Sequence, residues 1–503
     1  MRTTLSLSVV LFMIMISCNA QKEAADLILT NGNIYTVDAE FSIAEAIAIK
    51  DQRIIAVGST SEISQKYRAD KVRDLEGKFV YPGWIDAHCH FFGYGMNLNA
   101  VDVAGTSSVE EIIEVLKAFR EEHPGAWITG RGWDQNDWEV KEFPDKTMLD
   151  KHFPLTPILL RRIDGHAAWA NSRALEIAGV TADSKVDGGT VMLSNGEPNG
   201  ILVDNAIGLV ASEIPGATKK EMIQALKQAE QNCFSVGLTS VQDAGLSRTV
   251  VQLIDSLHQA GTLRIRMNTW LSPSRENFTY YVEKGPYQTD YLSVNTIKLF
   301  TDGALGSRGA RMIEAYSDDP GNLGLYVTPL EMLENYCQRA YENKFAVATH
   351  CIGDGANRET LKIYAAILGG KNDRRWRIEH AQIIHPDDFH YFGDYNIIPS
   401  VQTTHATSDM YWAEDRVGSE RIKGAYAYKQ LLKENGWLPN GSDFPVEQIN
   451  PLFGFYAGVV RKDQDAYPEE GYMVENAISR EEALRSMTIW AARSGFEEDL
   501  KGS

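Results

Sequence analysis

Cysteine is scarce in this 503-residue chain: there are five, and no two form a CxxC pair. Cys89, Cys233, Cys337 and Cys351 are scattered too widely for a disulfide framework, and they are expected to be free thiols. Basic residues are outnumbered, 49 Lys and Arg against 68 Asp and Glu, giving a formal charge of −19. That balance argues against nucleic acid or an anionic membrane surface as a partner. Beyond residue 20 no run is apolar and long enough to span a bilayer. Fixed-period repeats, low-complexity tracts and blocks of like charge are missing as well. What remains is ordinary globular composition, 44% hydrophobic and 10% aromatic, in a chain long enough for one large domain with appendages.

Residues 1–20 read as an export signal. Arg2 supplies a positive start, and Leu5 to Ile16 form an apolar stretch too short to cross a membrane as a mature helix. Met15-Ile16-Ser17-Cys18 resembles a bacterial lipobox with Cys18 as the lipidated residue; the alternative is cleavage after Cys18-Asn19-Ala20. Either route exports the protein to the periplasm or outer surface, and on the lipobox reading the lipid anchor is its sole membrane contact.

Residues 24–80 read as a small β unit. Short apolar runs are separated by Asn31-Gly32 and Lys50-Asp51-Gln52, both hairpin signals. A mostly apolar run from Phe79 to Ile85 then predicts a buried strand leading into His88 and His90. Residues 92–230 form a long insertion. It holds a helix from the capping box at Ser108 to about Glu122, and strand-like runs at 126–133 and 157–163. From Gly237 onward strands alternate with helices. Strands are expected at Leu238–Gln242, Arg264–Trp270, Asn295–Phe300, Phe345–Thr349, Arg375–Glu379, Ile397–Gln402 and Leu438–Ser442. One of the intervening helices is expected over Glu420–Asn435. With the first strand that makes eight βα units, so residues 81–495 are expected to form a (β/α)8 TIM barrel, whose functional face lies at the strands' carboxyl ends.

Polar residues collect at those ends. His88 and His90 share one face of their strand with Cα atoms about 6.6 Å apart, close enough to converge on one cation. Lys298 is flanked by Ile297 and Leu299 in a strand expected to be otherwise buried, His350 and His380 end the fifth and sixth, and Asp443 ends the eighth. Burial lowers the pKa of a lysine, and a neutral amine can capture CO2 as a carbamate that bridges two cations. A substrate clamp or a Schiff-base role fits Lys298 equally on spacing alone.

The chain resembles the amidohydrolase superfamily, specifically the amidohydrolase-3 or YtcJ-like group that includes N-substituted formamide deformylases. The resemblance runs from about Asp26 to the end. It rests on PGWIDAHCH, GRGWDQNDW, RRIDGHAAWANSRAL, TIKLFTDGALGSR, ATHCIGD, RIEHAQ, PSVQTTHATSDM and NGSDFPVEQINPL, eight blocks in the expected order. It implies a TIM barrel holding one or two divalent metals, usually zinc. His88 and His90 would bind the more buried ion, carboxylated Lys298 would bridge, and His350 and His380 would hold the second. Asp443 would contact metal and serve as acid and base. His166 and His405 would polarise the substrate carbonyl, and Arg308 would bind a substrate carboxylate or brace a loop. Trp133, an aromatic beside polar residues, reads from its own surroundings as a pocket wall.

The implied reaction is hydrolysis of a carbon–nitrogen bond in a small amide, such as an N-acyl or N-formyl amine. An ester, lactone or cyclic amide on the same site is an alternative, as is a non-catalytic, metal-binding regulatory lipoprotein. In this family the text usually continues into strands that complete the small β domain. Residues 496–503 therefore read as the truncated start of that segment, and lower stability is expected. The sequence leaves the oligomeric state open, a dimer included.

Overall fold

A computed structural model describes residues 22–123 and 125–503. The export signal, with Cys18, lies outside the described residues. The chain divides into two compact units, one ending at Pro82 and one spanning Gly83–Ser503.

The first unit holds a two-stranded pair, Glu23–Ala24 with Tyr67–Arg68, and two larger sheets. Leu27–Thr30 pairs with Ala46–Lys50 and Lys71–Asp74, and Asn33–Tyr35 pairs with Ile43–Ala44 and Phe79–Val80. The hairpin expected at Lys50-Asp51-Gln52 forms, with Asp51 and Gln52 at φ 48° and 62° as a tight two-residue turn requires. Asn31-Gly32 makes no hairpin; it carries the chain from one sheet to the other. The run expected as one strand from Phe79 to Ile85 is also split. Phe79–Val80 completes the second small sheet, whereas Trp84–Cys89 opens the barrel, and Pro82, lacking an N–H, stands between them.

In the second unit seven parallel strands follow one another around a barrel: β1 (Trp84–Cys89), β2 (Leu238–Leu246), β3 (Arg266–Leu271), β4 (Leu292–Phe300), β5 (Ala346–Cys351), β6 (Arg377–His380) and β7 (Ile398–Ser400). Residues 438–442, expected as the eighth strand, form a single parallel bridge from Asn440 to Val401. Main-chain bonds nevertheless nearly close the ring. Gly441 N–H donates to Val401 O at 3.0 Å, and Asp443 N–H donates to His88 O at 2.7 Å. Pro439 offers no N–H, and Asp443 turns to φ 58°, which prevents a longer ladder. Side chains reinforce the seam: Asp86 accepts from Ser442 Oγ at 2.6 Å and from the amides of Ser442 and His88 at 3.1 and 3.0 Å.

Helices cover the barrel with apolar faces. Arg248–Gln259, capped by Ser247, buries Val250, Val251, Leu253, Ile254 and Leu257. Each such side chain contributes about 1.5–3 kcal/mol when fully buried. The helix expected over Glu420–Asn435 is broken. Ala413–Arg421 and Tyr428–Asn435 are separate, because Tyr426 adopts φ 50° between them. Among the described residues no helix is long and apolar enough to cross a membrane, and all four cysteines are free and buried.

The insertion has a sheet of its own. Val101–Asp102, Ile128–Trp133 and Ile158–Arg162 run parallel, and Ala167–Ala170, Glu197–Asp204 and Gly189–Ser194 continue it antiparallel. Trp133, expected in a pocket wall, is fully buried in this sheet's core beside Trp138, Phe143 and Trp169. Its Nε1–H donates to Leu160 O at 2.8 Å, so its polar edge is already satisfied.

Candidate active site

Strand alternation on β1 sends His88 inward and Cys89 outward into the barrel–helix layer, where Cys89 Sγ lies 3.5 Å from Gln242 O. His88 is fully buried. Its Nδ1 lies 2.5 Å from Glu379 Oε2, so a proton sits between them and Nε2 is the nitrogen left facing inward. Lys298, at the heart of β4, brings Nζ to 3.5 Å from His88 Nε2. Burial pushes its amine down to about 8.

The histidines of β5 and β6 are oriented the same way. His350 Nε2 donates to Gly303 O at 3.1 Å, which leaves its Nδ1 free. His380 Nδ1 lies 2.7 Å from Gln402 Oε1, which leaves its Nε2 free. Both rings gather over His88, the His350 and His380 centroids 4.7 Å apart and those of His88 and His380 5.0 Å apart. Burial holds both well below the ordinary imidazole range, so they are neutral donors. His380 at φ 72° and Asp443 at φ 58° both take left-handed backbone, a strain that swings their side chains off the strand ends into the barrel mouth.

Asp443 Oδ1 lies 3.4 Å from His88 Nε2 and 3.2 Å from His90 Nε2, and its Oδ2 lies 3.9 Å from His405 Nε2. Burial opposes its ionisation, but the His88 and His90 rings outweigh that and hold it well below the carboxylate range. Asp443 Oδ1 and His405 Nε2 are nevertheless buried without a hydrogen-bond partner. Ligand atoms of His88, His380 and Asp443 all fall within 4.8 Å of one another. Neutral imidazole nitrogens and an ionised carboxylate oxygen, close together, buried and unpaired, are the donor set a divalent cation takes. The residues fit a metal.

Above this cluster opens a cavity of about 210 Å3, walled by His166, His350, His380, His405 and Asp443 together with residues that the sequence did not single out. Arg162, from the insertion sheet, pairs with Asp134 and, at 2.5 Å, with Asp164. Glu447 accepts from Ser408 Oγ at 2.6 Å, and burial pushes its carboxyl up to about 7. The His166 ring lies tilted against His350, centroids 4.8 Å apart, and its Nδ1 lies 2.7 Å from Asp204 Oδ1. Burial works against a charge on His166, but Asp204 outweighs it, with Asp164 and Asp302 adding to the effect, and the ring is held above its ordinary value.

Six of the residues expected at the site, His88, His90, Lys298, His350, His380 and Asp443, therefore converge, with His166 and His405 beside them. Trp133 and Arg308 do not line this cavity. Arg308 faces the other way, its Nε and Nη2 on the two oxygens of Asp318 at 3.2 and 2.8 Å, so it braces the loop after β4. The missed residues are mostly partners of partners: Glu379, Gln402 and Asp204. A signal existed for Glu379, since Arg377 and Glu379 put a charged pair on one face of a strand that otherwise reads as buried.

The Amidohydrolase family model matches residues 71–503. The chain belongs to the amidohydrolase family. The protein is thus a hydrolase of carbon–nitrogen bonds in a family whose members use a divalent metal. It is 35% identical over 500 residues to Protein LONG AFTER FAR-RED 3 of Arabidopsis thaliana, covering 95% of this chain and 85% of that one. It is 25% identical to an N-substituted formamide deformylase of Arthrobacter pascens, covering 95% and 91% respectively. Among solved structures, an uncharacterized metal-dependent hydrolase from Pyrococcus horikoshii OT3 matches with a TM-score of 0.76 at 28% identity, covering 95% of this chain and 94% of that one.

Proposed function

We propose that this amidohydrolase cleaves a small N-acyl or N-formyl amine, with His88, His90, His350, His380 and Asp443 holding one or two zinc ions and Lys298, as its carbamate, between them. The observation that carries the reading is the Asp443 Oδ1, buried without a hydrogen-bond partner among imidazole nitrogens at the floor of the cavity. A divalent cation held there would supply Lewis-acid chemistry, polarising the carbonyl and lowering the pKa of water from 15.7 to about 7. The deformylase relative supports an amide as the substrate.

The chain's own residues do the rest. Asp443, ionised and beside the cavity, takes the proton of the attacking water. It returns that proton to the departing nitrogen, so the product leaves as a neutral amine and not as an amide anion. His405 Nε2, without a partner in the cavity wall, and His166 opposite the barrel mouth hydrogen-bond to the carbonyl oxygen as its charge grows. Arg162, tied down by Asp134 and Asp164, shapes the wall on the insertion side. Export with Cys18 as a lipid anchor would place this chemistry on periplasmic or external substrates; labelled-lipid incorporation lost in Cys18→Ala checks that part.

The deciding experiment loads the purified protein with zinc and follows amine release from a panel of N-formyl and N-acyl amines, with matched esters alongside. Amide turnover is expected, and Asp443→Asn should lower kcat by about 10²–10⁴-fold while metal content stays. Stoichiometric metal with no turnover of any amide would sink the proposal.

A further inference from the structure

Asp204 ends the insertion strand Glu197–Asp204 and sits against the turn that carries His166. The two residues are joined twice. Asp204 N–H donates to His166 O at 2.8 Å, and His166 Nδ1 lies 2.7 Å from Asp204 Oδ1. The turn itself is fixed by Asp164, whose Oδ1 accepts the His166 amide at 2.9 Å. The imidazole is therefore held at its backbone and at one ring nitrogen.

The other half of the Asp204 carboxylate is harder to explain as structure. Its side chain is 1% exposed, and Oδ2 is buried without a hydrogen-bond partner. A buried carboxylate oxygen left unpaired costs free energy, and an apolar side chain of similar shape would avoid that cost. The barrel has nonetheless made room for it. In the loop after β4, a Cβ on Gly303 would come 2.5 Å from Asp204 Oδ2, and one on Gly309 would come 2.6 Å from it. Two glycines in Asp302-Gly303-Ala304-Leu305-Gly306-Ser307-Arg308-Gly309 thus form a slot around one carboxylate delivered by the insertion. Beyond the slot, His166 lines the cavity and packs, tilted, against His350.

We propose that Asp204 is a positioning residue for hydrolysis: by accepting Nδ1–H of His166 it fixes the ring's rotation and tautomer, so that Nε2 is the nitrogen presented to the substrate carbonyl. The inference rests on the role given to His166 above and extends it to a residue that never touches substrate. It also assigns the insertion a catalytic purpose, since both members of the pair come from the insertion, one on a strand and one on a turn, while the slot belongs to the barrel.

A double-mutant cycle tests it on the zinc-loaded, full-length protein. Asp204→Asn should lower kcat by about tenfold to a hundredfold with KM little changed, and His166→Gln should lower it at least as far. In the His166→Gln background Asp204→Asn should cost nothing further, because its effect runs through the ring. A purely structural Asp204 would show the same fold-loss in both backgrounds, and that result overturns the proposal. A second arm needs no turnover. In long-range proton–nitrogen spectra of 15N-histidine-labelled protein, the pattern that disappears in His166→Gln identifies this ring. In the wild type it should carry its hydrogen-bonded proton on Nδ1, and Asp204→Ala should abolish that low-field signal. A wild-type ring protonated at Nε2 alone overturns the proposal even if no amide substrate has been found, so the arm separates its failure from that of the proposed activity.

Discussion

Glu379 Oε2 lies 2.5 Å from His88 Nδ1, and the same carboxylate accepts from Ser400 Oγ at 2.8 Å and from the Arg377 guanidinium. One side chain thereby orients the first histidine of β1 and neutralises the arginine buried beside it on β6. Removing its charge should be felt in both places. Glu379→Gln is expected to weaken zinc binding by about 10–100-fold, the usual loss when an outer partner of a metal-binding histidine is removed. It should also destabilise the metal-free protein by about 3–5 kcal/mol, because Arg377 is left buried without its counter-ion. Chelator competition and urea melts read the two effects separately. Unchanged zinc affinity would remove His88 from the ligand set.

Lys298 offers a test of its carbamate. The buried amine, pushed down to about 8, supplies far more free base near neutrality than an exposed lysine does. Free base plus CO2 gives the carbamate and one proton. Metal-free protein in CO2-stripped buffer should therefore recover activity slowly when zinc is added and faster as bicarbonate is raised. Lys298→Met should bind less zinc, respond to no bicarbonate, and lose at least about 10²-fold in kcat. Bicarbonate-independent recovery in the wild type would leave Lys298 an ordinary amine.

Trp133 should prove structural. It lies fully inside the insertion core with its indole N–H satisfied by Leu160 O. Trp133→Ala is expected to cost about 3–5 kcal/mol in denaturant unfolding, while the folded fraction keeps its KM. A raised KM at unchanged stability would return the residue to the pocket wall.

What the sequence made legible follows from range. His88, His90, His350 and His380 could be read because each directly follows a run of buried-strand residues, so pattern and ligand sit in one short stretch. Gln402 and Asp204 could not, because their importance lies in single contacts 22 and 38 residues away in sequence. The Arg377 and Glu379 pair marked Glu379 as unusual, but its partner His88 lies 291 residues away. Trp133 misled because an aromatic among glycines and polar residues looks like a pocket wall. Simple alternation along Ile128–Trp133 would place it on the half-buried face of Thr129 and Arg131, but a register shift at Gly132, φ 121°, turns it into the insertion's own core. The eighth strand read correctly in position but not in form. The spacing of the βα units put a strand at 438–442, whereas Pro439 and the turned backbone at Asp443 reduce it to one bridge.

Glu447 supplies a pH test on the metal-free protein. Burial, seconded by the Asp443 charge, raises its carboxyl from 4.5 to about 7. The folded state therefore binds this proton more tightly than the unfolded state does, and between those two values the folded protein carries more protons. The stability it contributes is fully present below about 4.5 and is lost as pH rises through about 7. Glutamine keeps the shape and stays neutral, so Glu447→Gln should match the wild type near pH 4.5 and exceed it above pH 7. The upper bound is about 3 kcal/mol, from 1.36 kcal/mol per pKa unit. Because the side chain is 18% exposed, water recovers part of that, and a gain of about 1–2 kcal/mol is the expected reading. The difference between the two unfolding curves, taken from pH 4.5 to 8, isolates this group from every other titration. A flat difference would mean that Glu447 is ionised across the range, with a cation near enough to hold it so.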